Sequence, residues 1–225
     1  MKKLILTAFS LAVCAFSVQA QQIPQLDGQT LNLFGSKAFS ADMTMTYDGK
    51  AEGALSCKVF IDRGMSRYEL DMTGLMKGNA AAGAMLKKMG MDQMVVISKP
   101  SQQLTYMVYP GKSAYVETTL PPQPAVDTKA PALKPAGTAT IDGHDCAVFT
   151  VDTKTAVECT VYEAKDLGNF PIKIVSKGPG FLSEAVFTHV NVGAQPDSLF
   201  TPPVDYAKHP SVQELMMGAL KTSTN

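Results

Sequence analysis

The chain has no tryptophan and three histidines, and its 20 Lys plus Arg are balanced by 20 Asp plus Glu. A balanced charge without a basic run gives no electrostatic footprint for nucleic acid. Charged residues make up 18% of the 225 positions, fewer than is usual in soluble domains. No Gly-x-Ser-x-Gly elbow marks a serine hydrolase. No Cys-x-x-Cys, His-Glu-x-x-His or EF-hand loop is written in the chain, so no metal site and no cofactor are expected from motifs. His144, His189 and His209 fall in a turn, a strand and a loop and read as ordinary histidines. Carboxylates are scattered, with none paired in sequence for acid–base work. No apolar run is long enough to cross a membrane as a helix. Each absence removes a class of catalyst or partner, and together they point away from an enzyme.

What is present begins with an export pattern. Lys2 and Lys3 precede the apolar run from Leu4 to Phe16, and Val18-Gln19-Ala20 offers small residues for cleavage. Residues 1–20 therefore read as a signal peptide cut after Ala20, and the mature protein as periplasmic. Cys14 is preceded by Val13, where a lipobox would want a small residue. Residues 21–37 form a polar, Gly-containing and loosely ordered lead-in, in which Leu31, Leu33 and Phe34 can dock on a core. Residues 38–225 read as one domain, large enough for a sizeable core.

The strongest pattern runs from Phe39 to Met72. Phe39, Ala41, Met43, Met45 and Tyr47 alternate with Ser40, Asp42, Thr44, Thr46 and Asp48. That period of two gives a strand one dry and one wet face. Leu55, Cys57, Val59 and Ile61 make a second strand, and Tyr68, Leu70 and Met72 a third, opposite Arg67, Glu69 and Asp71. Short turns at Asp48-Gly49 and Arg63-Gly64 make the three an antiparallel meander. The period then changes. Leu75, Ala82, Leu86 and Met89 share one helical stripe between Thr73 and Met91, weakened by Gly78 and Gly83. Strands resume at Gln93 to Ser98, Leu104 to Tyr109 and Ser113 to Glu117.

Residues 118–137 contain five prolines and read as an extended insertion. Five more strands follow, near Thr138, Cys146, Ala156, Ile172 and Glu184, and a tail helix opens at Pro210-Ser211 with a capping box to Glu214. The expected fold class is mainly β (α+β). It is a strongly curved antiparallel sheet, an incomplete β-barrel capped by a mid-chain helix and a C-terminal helix, because ten or so strands in an open sheet should curl.

Three constellations merit chemistry. Met85, Met89, Met91 and Met94 are soft thioethers that suit Cu(I); the plainer reading is flexible filling of an apolar cavity. Arg67 and Glu69 share a strand face, either as a solvated ion pair or as a polar rim to a hydrophobic hollow. Pairing Thr150 with Thr155 sets Val148 against Val157 and Cys146 against Cys159. In an oxidising compartment those cysteines can form a disulfide; otherwise they and Cys57 are small hydrophobes of the core.

The order of several short motifs carries a resemblance. They are Lys58-Val59-Phe60, Ser66-Arg67-Tyr68-Glu69, the run Tyr106 to Tyr115, Ile141-Asp142-Gly143-His144-Asp145-Cys146, and Ser198 to Tyr206. Together they resemble a DUF4412-type family of secreted bacterial domains of unknown function, itself similar to the periplasmic lipoprotein carriers and sigma-factor regulators of the LolA/LolB/RseB type. The resemblance implies a LolA-like incomplete barrel whose hollow, in the carriers, holds lipoprotein acyl chains. Arg67 is the nearest positional match to a carrier arginine that matters in release. The Pro-rich insertion, the cysteines and the Met-rich helix depart from the carriers.

The resulting expectation is a non-enzymatic periplasmic protein that binds a lipid-like or other hydrophobic ligand. Its lining would be Met43, Met45, Tyr47, Val59, Ile61, Leu75, Met85, Leu86 and Met89, with Arg67 and Glu69 at the rim. The alternative is a structural or regulatory interaction protein that meets an envelope protein and takes no small ligand. Cu(I) handling through the methionines stands third.

Overall fold

The structure is a computed structural model and describes residues 33–35, 37–48, 50–76, 79–119, 132–151 and 156–222. The signal peptide, most of the lead-in and residues 120–131 of the insertion lie outside the described residues. The first half comprises β1 (Phe39–Tyr47), β2 (Lys50–Asp62), β3 (Met65–Asp71), a 3-10 turn (Gly74–Met76), α1 (Ala80–Lys88), β4 (Gln93–Lys99), β5 (Leu104–Tyr109) and β6 (Ala114–Thr119). The second half comprises β7 (Leu133–Ile141), β8 (His144–Val151), β9 (Glu158–Ala164), β10 (Phe170–Gly178), β11 (Phe181–Val192), β12 (Ala207–His209) and α2 (Val212–Thr222).

The twelve strands among the described residues form one sheet in the order β12-β6-β5-β4-β3-β2-β1-β11-β10-β9-β8-β7. Every ladder is antiparallel except β12 on β6. The chain is thus two meanders joined where β1 pairs with β11, as Met43 faces Phe187. Laid flat, a sheet of this width would measure roughly 50 Å at about 4.8 Å per strand. Yet Ala114 on β6 and Cys146 on β8 belong to one buried cluster with Met43 and Val59. A sheet this wide curls rather than lying flat, and that cluster is its inner face. It stays unclosed, since β12 and β7 end it without pairing to each other. This mainly β, curved and open architecture, with two short α-helices among the described residues, is the one the sequence pattern led to.

Alternation builds the inner face. Phe39, Ala41, Met43 and Met45 are buried along β1, and Ser66, Tyr68 and Leu70 along β3. Phe34 docks on it as well: its ring stacks on Phe39 at 4.9 Å and meets Phe170 and Phe187 at 5.3 Å each. The mid-chain helix is shorter than its stripe suggested, because the segment breaks into the 3-10 turn at Gly74 before α1 starts. The Asn79 side chain caps α1 by accepting from the Ala82 N–H at 3.1 Å. Leu86 drives into the inner core. Gly90, at φ +66°, ends the helical region against the turn between β5 and β6, where a Cβ would stand 2.6 Å from the Gly111 carbonyl oxygen. Only glycine allows that approach and that backbone.

A second, smaller core covers the outer face. Val95, Ile97 and Val108 bury Phe200, which arrives on the segment after β11. Polar contacts hold this strap. The Asp62 carboxylate accepts the Gln195 N–H at 3.1 Å, and Arg67 donates to the Leu199 carbonyl at 2.9 Å. Arg63 pairs with Asp197.

Two expectations need correcting. Residues 133–137 are strand rather than linker: β7 spans Leu133–Ile141 and takes Pro135 at a register shift. Proline is tolerated there because β7 is an edge strand, with one side of its backbone free of ladder bonds. The cysteines do not form the expected disulfide. Cys146 faces Ala164, and Cys159 faces Val151. That offset of five residues separates them by about 16 Å along the strands, beyond the reach of a disulfide.

The inner face of the curled sheet as candidate binding site

Six of the nine expected lining residues come together. Met43 and Val59 are fully buried, and Met45, Ile61, Leu86 and Met89 nearly so, all in the inner cluster. Three do not join them. Tyr47 is 44% exposed at the end of β1, where its hydroxyl donates to the Met45 sulfur at 2.9 Å. Met85 is 42% exposed on the solvent side of α1, so it does not converge with Met89, Met91 and Met94 in the core. The Leu75 side chain lies outside the described residues.

The inner face is rich in sulfur. Met91, Met94 and Met216 are buried with the methionines named above, and Met72, Met76 and Met107 pack against the cluster. Unbranched thioethers repack at little cost, so such a surface can change shape around a guest. Its polarity is low. Burial pushes the Cys57 thiol up to about 12, with the Asp42 carboxylate adding to the effect, and burial alone pushes Tyr109 up to about 12. The cover is thin: α1 and α2 contribute Leu86, Leu215 and Met216, and Phe34 plugs the β1, β10 and β11 side.

One part of this face is polar, and the sequence did not reveal it. Ser66 pairs with Ser98, Ser98 with Thr105, and Thr105 with Thr118. Each has the same strand parity as inner-face neighbours such as Tyr68, Val96, Met107 and Ala114. The result is a row of four hydroxyls across four adjacent strands. Ser66 and Ser98 are 7% exposed and Thr105 is 8% exposed. The Thr105 hydroxyl is buried and has no hydrogen-bond partner among the described residues.

Arg67 and Glu69 are together, with Arg67 Nε donating to Glu69 Oε1 at 2.8 Å. They do not rim the hollow. Arg67 pairs with Phe60 and Ile97, which puts it on the outer face beneath the strap. The alternation of β3 carried that signal, since Tyr68 and Leu70 point the other way. An open cleft of about 490 Å³ lies between α1 and the ends of β3 and β4, lined by residues including Asp71, Gly83, Lys87 and Asp92 and by none of the expected lining residues whose side chains are described. The Thr73 hydroxyl holds the Asp71 carboxyl below its ordinary range there. His144 lies 2.7 Å from Asp166 and His189 lies 2.9 Å from Asp42, both at the surface.

A comparison with protein-family models finds no match, and a comparison with curated proteins finds none. The DUF4412 resemblance therefore stands on the quoted motifs alone. Among solved structures the chain is similar to an uncharacterized conserved protein from Thermus thermophilus, at 12% identity over 86% of this chain and 99% of that one, with a TM-score of 0.49. It is similar to a chain of the Pseudomonas aeruginosa MucA/MucB complex, at 14% identity over 79% of this chain and 61% of that one, with a TM-score of 0.42. It is also similar to a LolA superfamily protein from Nitrosomonas europaea, at 12% identity over 75% of this chain and 91% of that one, with a TM-score of 0.36.

Proposed function

We propose that this is an exported, non-enzymatic binding protein that holds a hydrophobic, lipid-like ligand on the inner face of its curled sheet. The observation that carries the reading is the methionine-rich inner face, onto which, among the described residues, α1, α2 and Phe34 pack rather than a second sheet. An acyl chain, including one attached to a lipoprotein, would enter by displacing Leu86, Met89, Leu215 and Met216. Each methylene it buries contributes about 0.8 kcal/mol. A periplasmic site of action follows from the export signal, and among the described residues no helix is long and apolar enough to cross a membrane.

Native mass spectrometry of the protein purified without detergent tests the reading. A co-purifying lipid mass, or lipid taken up from vesicles of phosphatidylethanolamine and phosphatidylglycerol, supports it. A bare protein mass with no uptake refutes it.

A second reading has its own support. The expected lining residues are already packed to between 0% and 9% exposure, apart from Tyr47 and Met85 among those described. The edge strand β7 is exposed on both faces over most of its length. An envelope protein that adds a strand to that edge would need no ligand, and the bare mass would favour it.

A further inference from the structure

The hydroxyl row places polar groups on an otherwise apolar inner face. We infer that Ser66, Ser98 and Thr105 form a binding site for the neutral carbonyl of an acyl lipid, an ester or an amide, whose chain runs on over the methionines; this rests on the hydrophobic-ligand reading above.

The Thr105 hydroxyl carries the argument. Buried hydroxyls are nearly always hydrogen-bonded, yet Thr105 is 8% exposed and its hydroxyl has no partner among the described residues. Ser98 and Thr118 stand directly opposite it on the neighbouring strands, at the distance where Cβ atoms lie about 4.5–5.5 Å apart. Two hydroxyls are thus close at hand and neither takes its proton. Thr105 shares the parity of Met107 and so lies on the inner face, where a guest oxygen would accept from its hydroxyl. Ser66 and Ser98 extend the row by two more groups that both donate and accept.

The surroundings select a neutral guest. The neighbouring row on the same face is Val116, Met107, Val96, Tyr68 and Val59, without a cation. Lys99, at the end of β4, reaches instead over the Tyr106 ring, 6.0 Å from its centroid, on the outer face. Arg63 is engaged by Asp62 and Asp197. A carboxylate or phosphate at the row would be buried without a counter-charge, at high cost. A carbonyl oxygen carries no such penalty. It gains the Thr105 bond and leaves the acyl chain on the apolar surface that begins one residue pair away.

The test uses the full chain and four fluorescent probes: methyl pyrenyldecanoate, pyrenyldecanamide, pyrenyldecanoic acid at pH 8, and decylpyrene. The expected result is that ester or amide binds about fivefold tighter than decylpyrene, the ratio for one net neutral hydrogen bond. The comparison of the two carbonyl probes tells which class the site prefers. Thr105→Val should erase the advantage and leave decylpyrene binding unchanged, and Ser98→Ala should reduce it. Equal binding of all uncharged probes to the wild type would overturn the inference and leave the hydrophobic site standing. So would an ester advantage that survives both substitutions, or tightest binding of the free acid. Failure of every probe to bind, decylpyrene included, would overturn both readings.

Discussion

Thr105→Val makes a prediction about stability whose sign is unusual. Valine replaces the hydroxyl with a methyl of similar shape, so the change isolates the polar group. Where a buried threonine is hydrogen-bonded, the swap costs about 1 kcal/mol. The Thr105 hydroxyl is buried and has no partner among the described residues, so its desolvation is uncompensated in the ligand-free protein. Removing such a group recovers about 1–3 kcal/mol. The ligand-free variant should therefore be more stable than the wild type. In urea the midpoint should rise with an unchanged slope, and the melting temperature should rise by about 2–4 °C for each kcal/mol in a chain of this size. Thr118→Val, on the same row but exposed, serves as the control and should change stability by less than about 0.5 kcal/mol. A Thr105→Val variant less stable than the wild type by about 1 kcal/mol or more, the ordinary cost of losing a made bond, would show that the hydroxyl is satisfied in the native protein, and the reasoning would fall.

The strap makes a contrasting case. Phe200→Ala should cost about 3–5 kcal/mol in urea unfolding by emptying the second core, and Arg67→Ala about 1–2 kcal/mol by freeing the Leu199 carbonyl; probe binding on the inner face should survive both, and its loss in Arg67→Ala would return that residue to the site. Iodoacetamide in urea without reductant should label Cys57, Cys146 and Cys159 alike, whereas a Cys146–Cys159 crosslink would overturn the β8–β9 register. The Cys57 thiol, raised from 9.0 to about 12, binds its proton more tightly folded than unfolded. Its contribution to stability is therefore complete below pH 9 and declines between pH 9 and about 12, and native Cys57 should resist a thiol reagent at about pH 8 until urea is added; rapid native labelling would contradict its burial.

Much of this fold was legible because its central strands are wet on one side and dry on the other. β1 and β5 occupy the spans their patterns predicted, Phe39–Tyr47 and Leu104–Tyr109. β7 was not legible for the opposite reason: it is exposed on both faces, so no period of two is imprinted, and Pro135 reads as a break. The cysteine register failed because apolar matching across β8 and β9 admits more than one solution, and the loop between Val151 and Glu158 is longer than the four residues assumed. Of the candidate site, alternation and the helical stripe named six residues that the inner cluster contains, but they misplaced Tyr47 and Met85, which stand exposed at a strand end and on the solvent side of α1. The hydroxyl row could not be read. Ser66, Ser98 and Thr105 become neighbours only when the registers of three strands are fixed together, and nothing local distinguishes them from surface hydroxyls. Phe200 was hidden likewise, since its partners Val95, Ile97 and Val108 stand far away in sequence.

The seam between β1 and β11 also sets an order of events. Strands β1 to β6, and β7 to β11, pair with their sequence neighbours and can zip locally, whereas joining Met43 to Phe187 closes a loop over most of the chain. Contacts of such long range slow folding, because closure entropy is spent before they form. A chain emerging from its amino terminus presents β1 early, with one edge bare, and must wait for β11 before that edge is covered. A strand at the centre of the finished sheet is thus the one exposed longest during its making, and there a holding chaperone would have the most to protect.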